Sequence, residues 1–106
     1  NLLIDPVFAE RLGPWPRAGP RRAQPPGIRW EDLPPVDAVL VTHNHWDHLD
    51  GPALARLWAR FRPRIVTPLG NDAVIRRYAP GAVVTALDWG RRAELSDRLA
   101  VHCEPA

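Results

Sequence analysis

A chain of 106 residues has room for at most one small domain with a modest core. A hydrophobic share of 45% and a charged share of 25% are ordinary for a folded domain and argue against disorder, and a net charge of +2 is too small to argue for nucleic acid. The single cysteine, Cys103, excludes an internal disulfide, and there is no run of about 18 apolar residues to span a bilayer.

The first apolar run, Leu2-Leu3-Ile4, is stopped by Asp5-Pro6 and reads as a strand. No signal-peptide pattern opens the chain, which contains no methionine and starts directly on this run. It reads as an internal piece of a longer protein, truncated at both ends. Residues 7–35 read as a long, ordered, irregular loop, because eight of the 13 prolines fall between Pro6 and Pro35 and no period of 2 or 3.6 is sustained. Loops of this length inside a compact domain are usually functional or disordered. Arg11, Arg17, Arg21, Arg22 and Arg29 lie in it, with few acids until Glu31 and Asp32. Those guanidiniums have two readings, a site for a phosphate or an anionic lipid surface, or a solvated loop that keeps the protein soluble. Trp15 and Trp30 likewise either meet a lipid interface or pin the loop to the domain.

Residues 37–42 form the best strand of the sequence, apolar and β-branched without a breaker. It runs directly into His43-Asn44-His45-Trp46-Asp47-His48. Asp50 then reads as a helix N-cap, and Pro52 sits in the first turn, where its missing N–H does no harm. Leu54, Leu57, Trp58 and Phe61 mark one face of an amphipathic helix. Residues 64–67 read as a strand, and Gly70-Asn71-Asp72 as a turn able to cap a second helix that buries Val74, Ile75 and Tyr78 before Pro80-Gly81 ends it. Residues 83–87 and 99–103 read as further strands, with another around 93–95. Strands alternating with helices predict an α/β layered domain over residues 1–106.

Three of the four histidines fall within the six residues 43–48, together with an aspartate. Imidazole and carboxylate are the usual non-thiolate zinc ligands. Alternate residues of an extended loop point the same way, so His43 and His45 can converge on one ion, leaving Asp47 and His48 to face a second. Two ions about 3.5–4 Å apart can clamp the attacking and leaving oxygens of a displacement. The competing readings are a polar loop in contact with water and a closed structural zinc site, which favours cysteine ligands.

His-x-His-x-Asp-His after an apolar strand is the signature of the metallo-β-lactamase superfamily, and the chain resembles it. With Asp5-Pro6-Val7-Phe8, Gly19-Pro20-Arg21-Arg22, Pro25-Pro26-Gly27, Asp32-Leu33-Pro34-Pro35 and His48-Leu49-Asp50, it is similar to the N-acyl-phosphatidylethanolamine phospholipase D-like branch over nearly its whole length. The resemblance implies a four-layer α/β/β/α sandwich of which only the N-terminal part is present. It implies two Zn²⁺ ions, with His43 and His45 on the first and Asp47 and His48 on the second, although such donors also accept iron or manganese. Asp47 would additionally orient the nucleophile or shuttle a proton. Asp5 would support the ligands from behind; the alternative is a plain residue of a strand-ending turn. The superfamily's third histidine, bridging aspartate and last histidine would lie beyond Ala106. His102, inside a predicted strand, reads as a strand residue rather than a ligand.

The expected activity of the full-length protein is metal-dependent hydrolysis, most specifically of an N-acyl-phosphatidylethanolamine-like phosphodiester, with this piece inactive alone. The alternatives are a sugar-phosphate lactonase, a metallo-β-lactamase, a metal-dependent nuclease, or a non-catalytic metal-binding or interaction module. The expected partners are a small molecule or phospholipid and a peripheral membrane contact, with no nucleic acid. The expected location is cytoplasmic or at a membrane surface.

Overall fold

The computed structural model describes residues 1–13 and 19–105, so Trp15 and Arg17 lie outside the described residues. Four strands form one parallel sheet in the order β1 (Leu2–Ile4), β2 (Ala38–Leu40), β3 (Arg64–Pro68) and β4 (Val84–Leu87). Helix α1 (Gly51–Phe61) connects β2 to β3, and α2 (Asn71–Tyr78) connects β3 to β4. Parallel neighbours need such crossovers, and here helices supply two of them. A hairpin of β5 (Arg92–Ser96) and β6 (Leu99–His102) follows.

The two faces of the sheet are separated by the alternation of its side chains. Val39, Val41 and Ile65 point into a core with Leu54 and Leu57 of α1 and Ile75 of α2. Leu40, Val66 and Leu87 point the other way, against Ala93, Leu95 and Val101 of the hairpin and Cys103. The fold is therefore α/β and layered: helices, parallel sheet, hairpin.

Helix α1 starts as its sequence predicts. The Asp50 carboxylate accepts the Ala53 amide at 3.0 Å, and Pro52 stands in the first turn. It ends at Arg62, which adopts a left-handed conformation (φ 54°). Helix α2 departs from expectation in two ways. No side chain caps it, because the N-cap position falls on Gly70; Asn71, already the first helical residue, donates its side-chain amide to the Thr67 hydroxyl at 3.1 Å. Tyr78, expected inside, is 41% exposed; its ring lies over Gly51, where any Cβ would collide with it.

Among its described residues, the connection between β1 and β2 contains a short 3₁₀ turn, Trp30–Asp32, and an isolated bridge between Arg11 and Arg21. Its described residues are held to the domain. Leu33 and Val36 are buried, and Trp30 meets Phe8 edge-on at 5.1 Å between centroids. The Arg56 guanidinium stacks on Trp30 at 3.8 Å, and Arg60 donates to the Trp30 carbonyl at 2.9 Å. Of the two readings of Trp30, the geometry supports the pin. The loop arginines have structural partners as well: Arg22 donates to the Val7 carbonyl, Arg11 to the Gly19 carbonyl, and Arg29 to Asp32.

Candidate metal centre

β1 and β2 are parallel, with Ile4 opposite Leu40, so the residues that leave their C-terminal ends emerge side by side. In open parallel sheets that edge is where ligands bind. Asp5 keeps the ladder for one more bond, its amide donating to the Leu40 carbonyl at 2.9 Å. It then adopts φ 45°, a left-handed conformation that aspartate tolerates better than most residues. Pro6 follows, and the strand stops.

From there the Asp5 carboxylate reaches across to the end of β2. Oδ1 accepts the Thr42 amide at 2.7 Å, and Oδ2 accepts the Thr42 hydroxyl at 2.6 Å and lies 2.8 Å from His48 Nδ1. β2 is consequently shorter than its apolar pattern predicts. The Val41 amide still bonds to the Val66 carbonyl at 3.0 Å, but the Thr42 amide goes to Asp5 instead of a neighbouring strand. Burial pushes the Asp5 carboxyl up, yet the bonds from Thr42 and His48 and the His48 charge outweigh it, and its pKa lies below the ordinary value.

The histidine run is not extended throughout. The amides of His48 and Leu49 both point to the His45 carbonyl, at 3.0 and 2.8 Å, and this turn folds the run back on itself. The His48 ring arrives 4.0 Å from that of His43, and the His45 ring lies 4.6 Å from that of His43. Alternation along an extended loop had grouped His43 with His45; the turn makes His48 the nearer imidazole. Asp47 Oδ2 lies 3.5 Å from His48 Nε2. His43 and His48 are half-buried, whereas His45 and Asp47 are exposed.

These donors fit zinc in kind, since imidazole nitrogen and carboxylate oxygen are its ordinary ligands. They are not sufficient in arrangement. Among the described residues, no group of three or more His, Cys, Asp or Glu side chains is placed to hold an ion by itself. His102 lies in β6, exposed and paired with Arg92.

Two residues around the run have roles that pattern reading did not assign. Asp50, beyond its cap, accepts the amides of Phe8 and Ala9 at 2.9 Å each and so ties the long loop to the end of the histidine run. Thr42 joins Asp5 to the first histidine, with its hydroxyl 3.0 Å from His43 Nδ1; the available signal was a hydroxyl residue directly before that histidine. Between the long loop and α1 lies a cavity of about 390 Å³, lined by Phe8, Arg11, Trp46, Arg56 and Tyr78 among others. Trp46, between two of the predicted ligands, is 47% exposed at this cavity.

A family model described as a beta-lactamase superfamily domain matches residues 1–106. An uncharacterized protein of Mycobacterium tuberculosis is 39% identical over the whole chain, which covers 28% of that protein. The N-acyl-phosphatidylethanolamine-hydrolyzing phospholipase D 1 of Caenorhabditis elegans is 37% identical over the whole chain, which covers 32% of it. A metal-dependent hydrolase of Cupriavidus taiwanensis is 52% identical over 48 residues, 43% of this chain and 16% of that protein. The chain thus spans about a third or less of the length of these relatives.

Proposed function

The chain belongs to the beta-lactamase superfamily, and on that premise we propose that it is the metal-binding part of a zinc-dependent hydrolase, a phosphodiesterase of phospholipase D type. The observation that carries this reading is the folding of His43, His45 and His48 into one imidazole cluster, with Asp47 beside it, at the C-terminal edge of the parallel sheet. His43, His45, Asp47 and His48 are the ligands in this reading, and Asp5 supports them from behind. Further donors in this reading would be supplied from outside these four residues.

Zinc, when bound, lowers the pKa of its water to about 7 and stabilises charge on a phosphoryl oxygen. The chain's own residues do the rest. Asp5 holds His48 by Nδ1, so Nε2 would be the nitrogen offered to a metal. Asp47, exposed beside His48, would accept a proton from the nucleophile or orient it in this reading. An N-acyl-phosphatidylethanolamine-like substrate draws support from the nematode relative's activity. It also draws support from the cavity, where Arg11 and Arg56 can pair with a phosphate while Phe8, Trp46 and Tyr78 offer apolar surface to a chain. A membrane surface would present such a substrate, although no helix among the described residues is long and apolar enough to cross one.

The test is elemental analysis of the complete protein beside a His45→Ala variant, with phosphodiester hydrolysis measured on both. About two zinc ions per chain, as a two-metal hydrolase requires, falling in the variant together with activity, is the expected result. A protein that binds no metal would be an interaction module that keeps the loop without the chemistry. Metal bound without phosphodiester cleavage would move the substrate to another class hydrolysed on this fold, a lactone or β-lactam.

A further inference from the structure

The Thr42 side chain touches both Asp5 and His43. Its hydroxyl has a single proton and two acceptor lone pairs. It lies 2.6 Å from Asp5 Oδ2 and 3.0 Å from His43 Nδ1, so two potential acceptors compete for that one proton. The carboxylate wins the competition. A hydroxyl bond to an ionised carboxylate is short, typically about 2.5–2.7 Å, and roughly twice as strong as a neutral one. Asp5 also accepts the Thr42 amide at 2.7 Å on its other oxygen, so both oxygens of the carboxylate are turned to Thr42.

With its proton committed to Asp5, the Thr42 oxygen can only accept from His43. The Nδ1 of His43 must then carry the hydrogen, and Nε2 is left with the lone pair. His48 has the same arrangement by a direct route, with its Nδ1 2.8 Å from the same Asp5 oxygen. We propose that Thr42 is a positioning residue, a hydroxyl relay through which Asp5 fixes His43 in the tautomer that offers Nε2 to metal. One carboxylate thereby sets the donor atoms of two histidines, one directly and one through Thr42. In the ligand assignment above, on which this inference rests, those histidines serve different ions, so the relay couples the two halves of the centre.

A relay depends on the hydroxyl and not on the shape of the side chain. Thr42→Val keeps the β-branched volume and removes the acceptor; Thr42→Ser keeps the hydroxyl and removes a methyl. In chelator-competition titrations of the complete protein with zinc, Thr42→Val is expected to lose about 10–100-fold in affinity for one ion, the usual range for removing a group that orients a ligand. Thr42→Ser is expected to stay within about threefold of the parent, well under the roughly tenfold that 1.4 kcal/mol represents. Equal affinity in the valine variant, or equal losses in both, would overturn the relay. A parent protein that binds no zinc would instead overturn the metal-centre reading beneath it.

A second measurement needs no variant to fold. In the metal-free parent above pH 8, the ¹⁵N shifts and couplings of the His43 imidazole report which nitrogen carries hydrogen. Hydrogen on Nδ1 is the expected result, and hydrogen on Nε2 would overturn the proposal.

Discussion

Asp5 and His48 are 43 residues apart in sequence, yet Asp5 Oδ2 and His48 Nδ1 lie 2.8 Å from one another. The contact exists because β1 and β2 are parallel neighbours whose ends the chain leaves in two different ways. Asp5 stops in a left-handed conformation at the end of β1. The run after β2 continues to His45 and then turns back toward it. The carboxylate that terminates one strand thereby becomes the anchor of the loop that follows the other.

That relationship predicts a pH dependence. The folded-state pKa of Asp5 is depressed, so the unfolded chain binds this proton more readily. The resulting stability is fully present above the unfolded carboxyl pKa of about 3.9 and is lost as pH falls through the lower folded value. In thermal unfolding of the metal-free protein, Asp5→Asn is expected to be less stable than the parent at neutral pH. The gap should close as pH falls below about 4, where the parent carboxyl protonates. Two curves that stay parallel down to pH 2 would mean that Asp5 carries no such linkage.

Asp50 performs two tasks with one carboxylate. Oδ1 caps α1 at the Ala53 amide, and Oδ2 accepts the Phe8 and Ala9 amides of the long loop. Losing a cap costs about 0.5–2 kcal/mol, and leaving the two partly buried loop donors without a partner costs about 1–2 kcal/mol more. Asp50→Ala is therefore expected to destabilise by about 2–4 kcal/mol in urea unfolding, more than a cap alone explains. A loss under 1 kcal/mol would show that the loop amides find other partners.

The elements were legible in the sequence because each rests on a local pattern. The spacing of Leu54, Leu57, Trp58 and Phe61 identified α1, and the β-branched runs identified β2 and β3. The clustering of His43, His45, Asp47 and His48 was legible too, since those residues are consecutive or nearly so. What was not legible depended on contacts between distant segments. The truncation of β2 at Leu40 follows from Asp5 taking the Thr42 amide. The closeness of His48 to His43 follows from the turn at His45. Tyr78 has a helix-face position that periodicity assigns to the core, but its actual partner is Gly51 at the start of the other helix. A period of 3.6 reports which residues share a face, not which neighbour that face meets.

The Gly51–Tyr78 contact can be tested as a pair. A Cβ at Gly51 would overlap the root of the Tyr78 ring as well as its edge, so the side chain cannot merely swing its tip away. Overpacking of this kind typically costs about 1–3 kcal/mol, which is the expected loss for Gly51→Ala. With Tyr78→Ala already in place the collision is gone, and adding Gly51→Ala should then cost under about 1 kcal/mol. That non-additivity in a double-mutant cycle marks direct contact. Additive losses would place the strain in the backbone of residue 51 instead.

The last prediction separates metal binding from folding. An ion that binds only the folded state stabilises it by about 2.7 kcal/mol when its free concentration is 100 times its dissociation constant. Adding zinc at that excess to the metal-free complete protein should therefore raise its unfolding midpoint, and chelation should reverse the change. The same addition should do much less for His43→Ala or His48→Ala, because each removes an imidazole from the cluster. His102→Ala should respond as the parent does, since His102 lies in β6 opposite Arg92 and outside that cluster. The His102 variant thus serves as an internal reference for nonspecific zinc binding at exposed histidines. If it lost the zinc response while the His43 variant kept it, the donors would have to be reassigned to the hairpin. If all three kept it, zinc would be bound elsewhere in the protein, and the run from His43 to His48 would be only a turn at the end of β2.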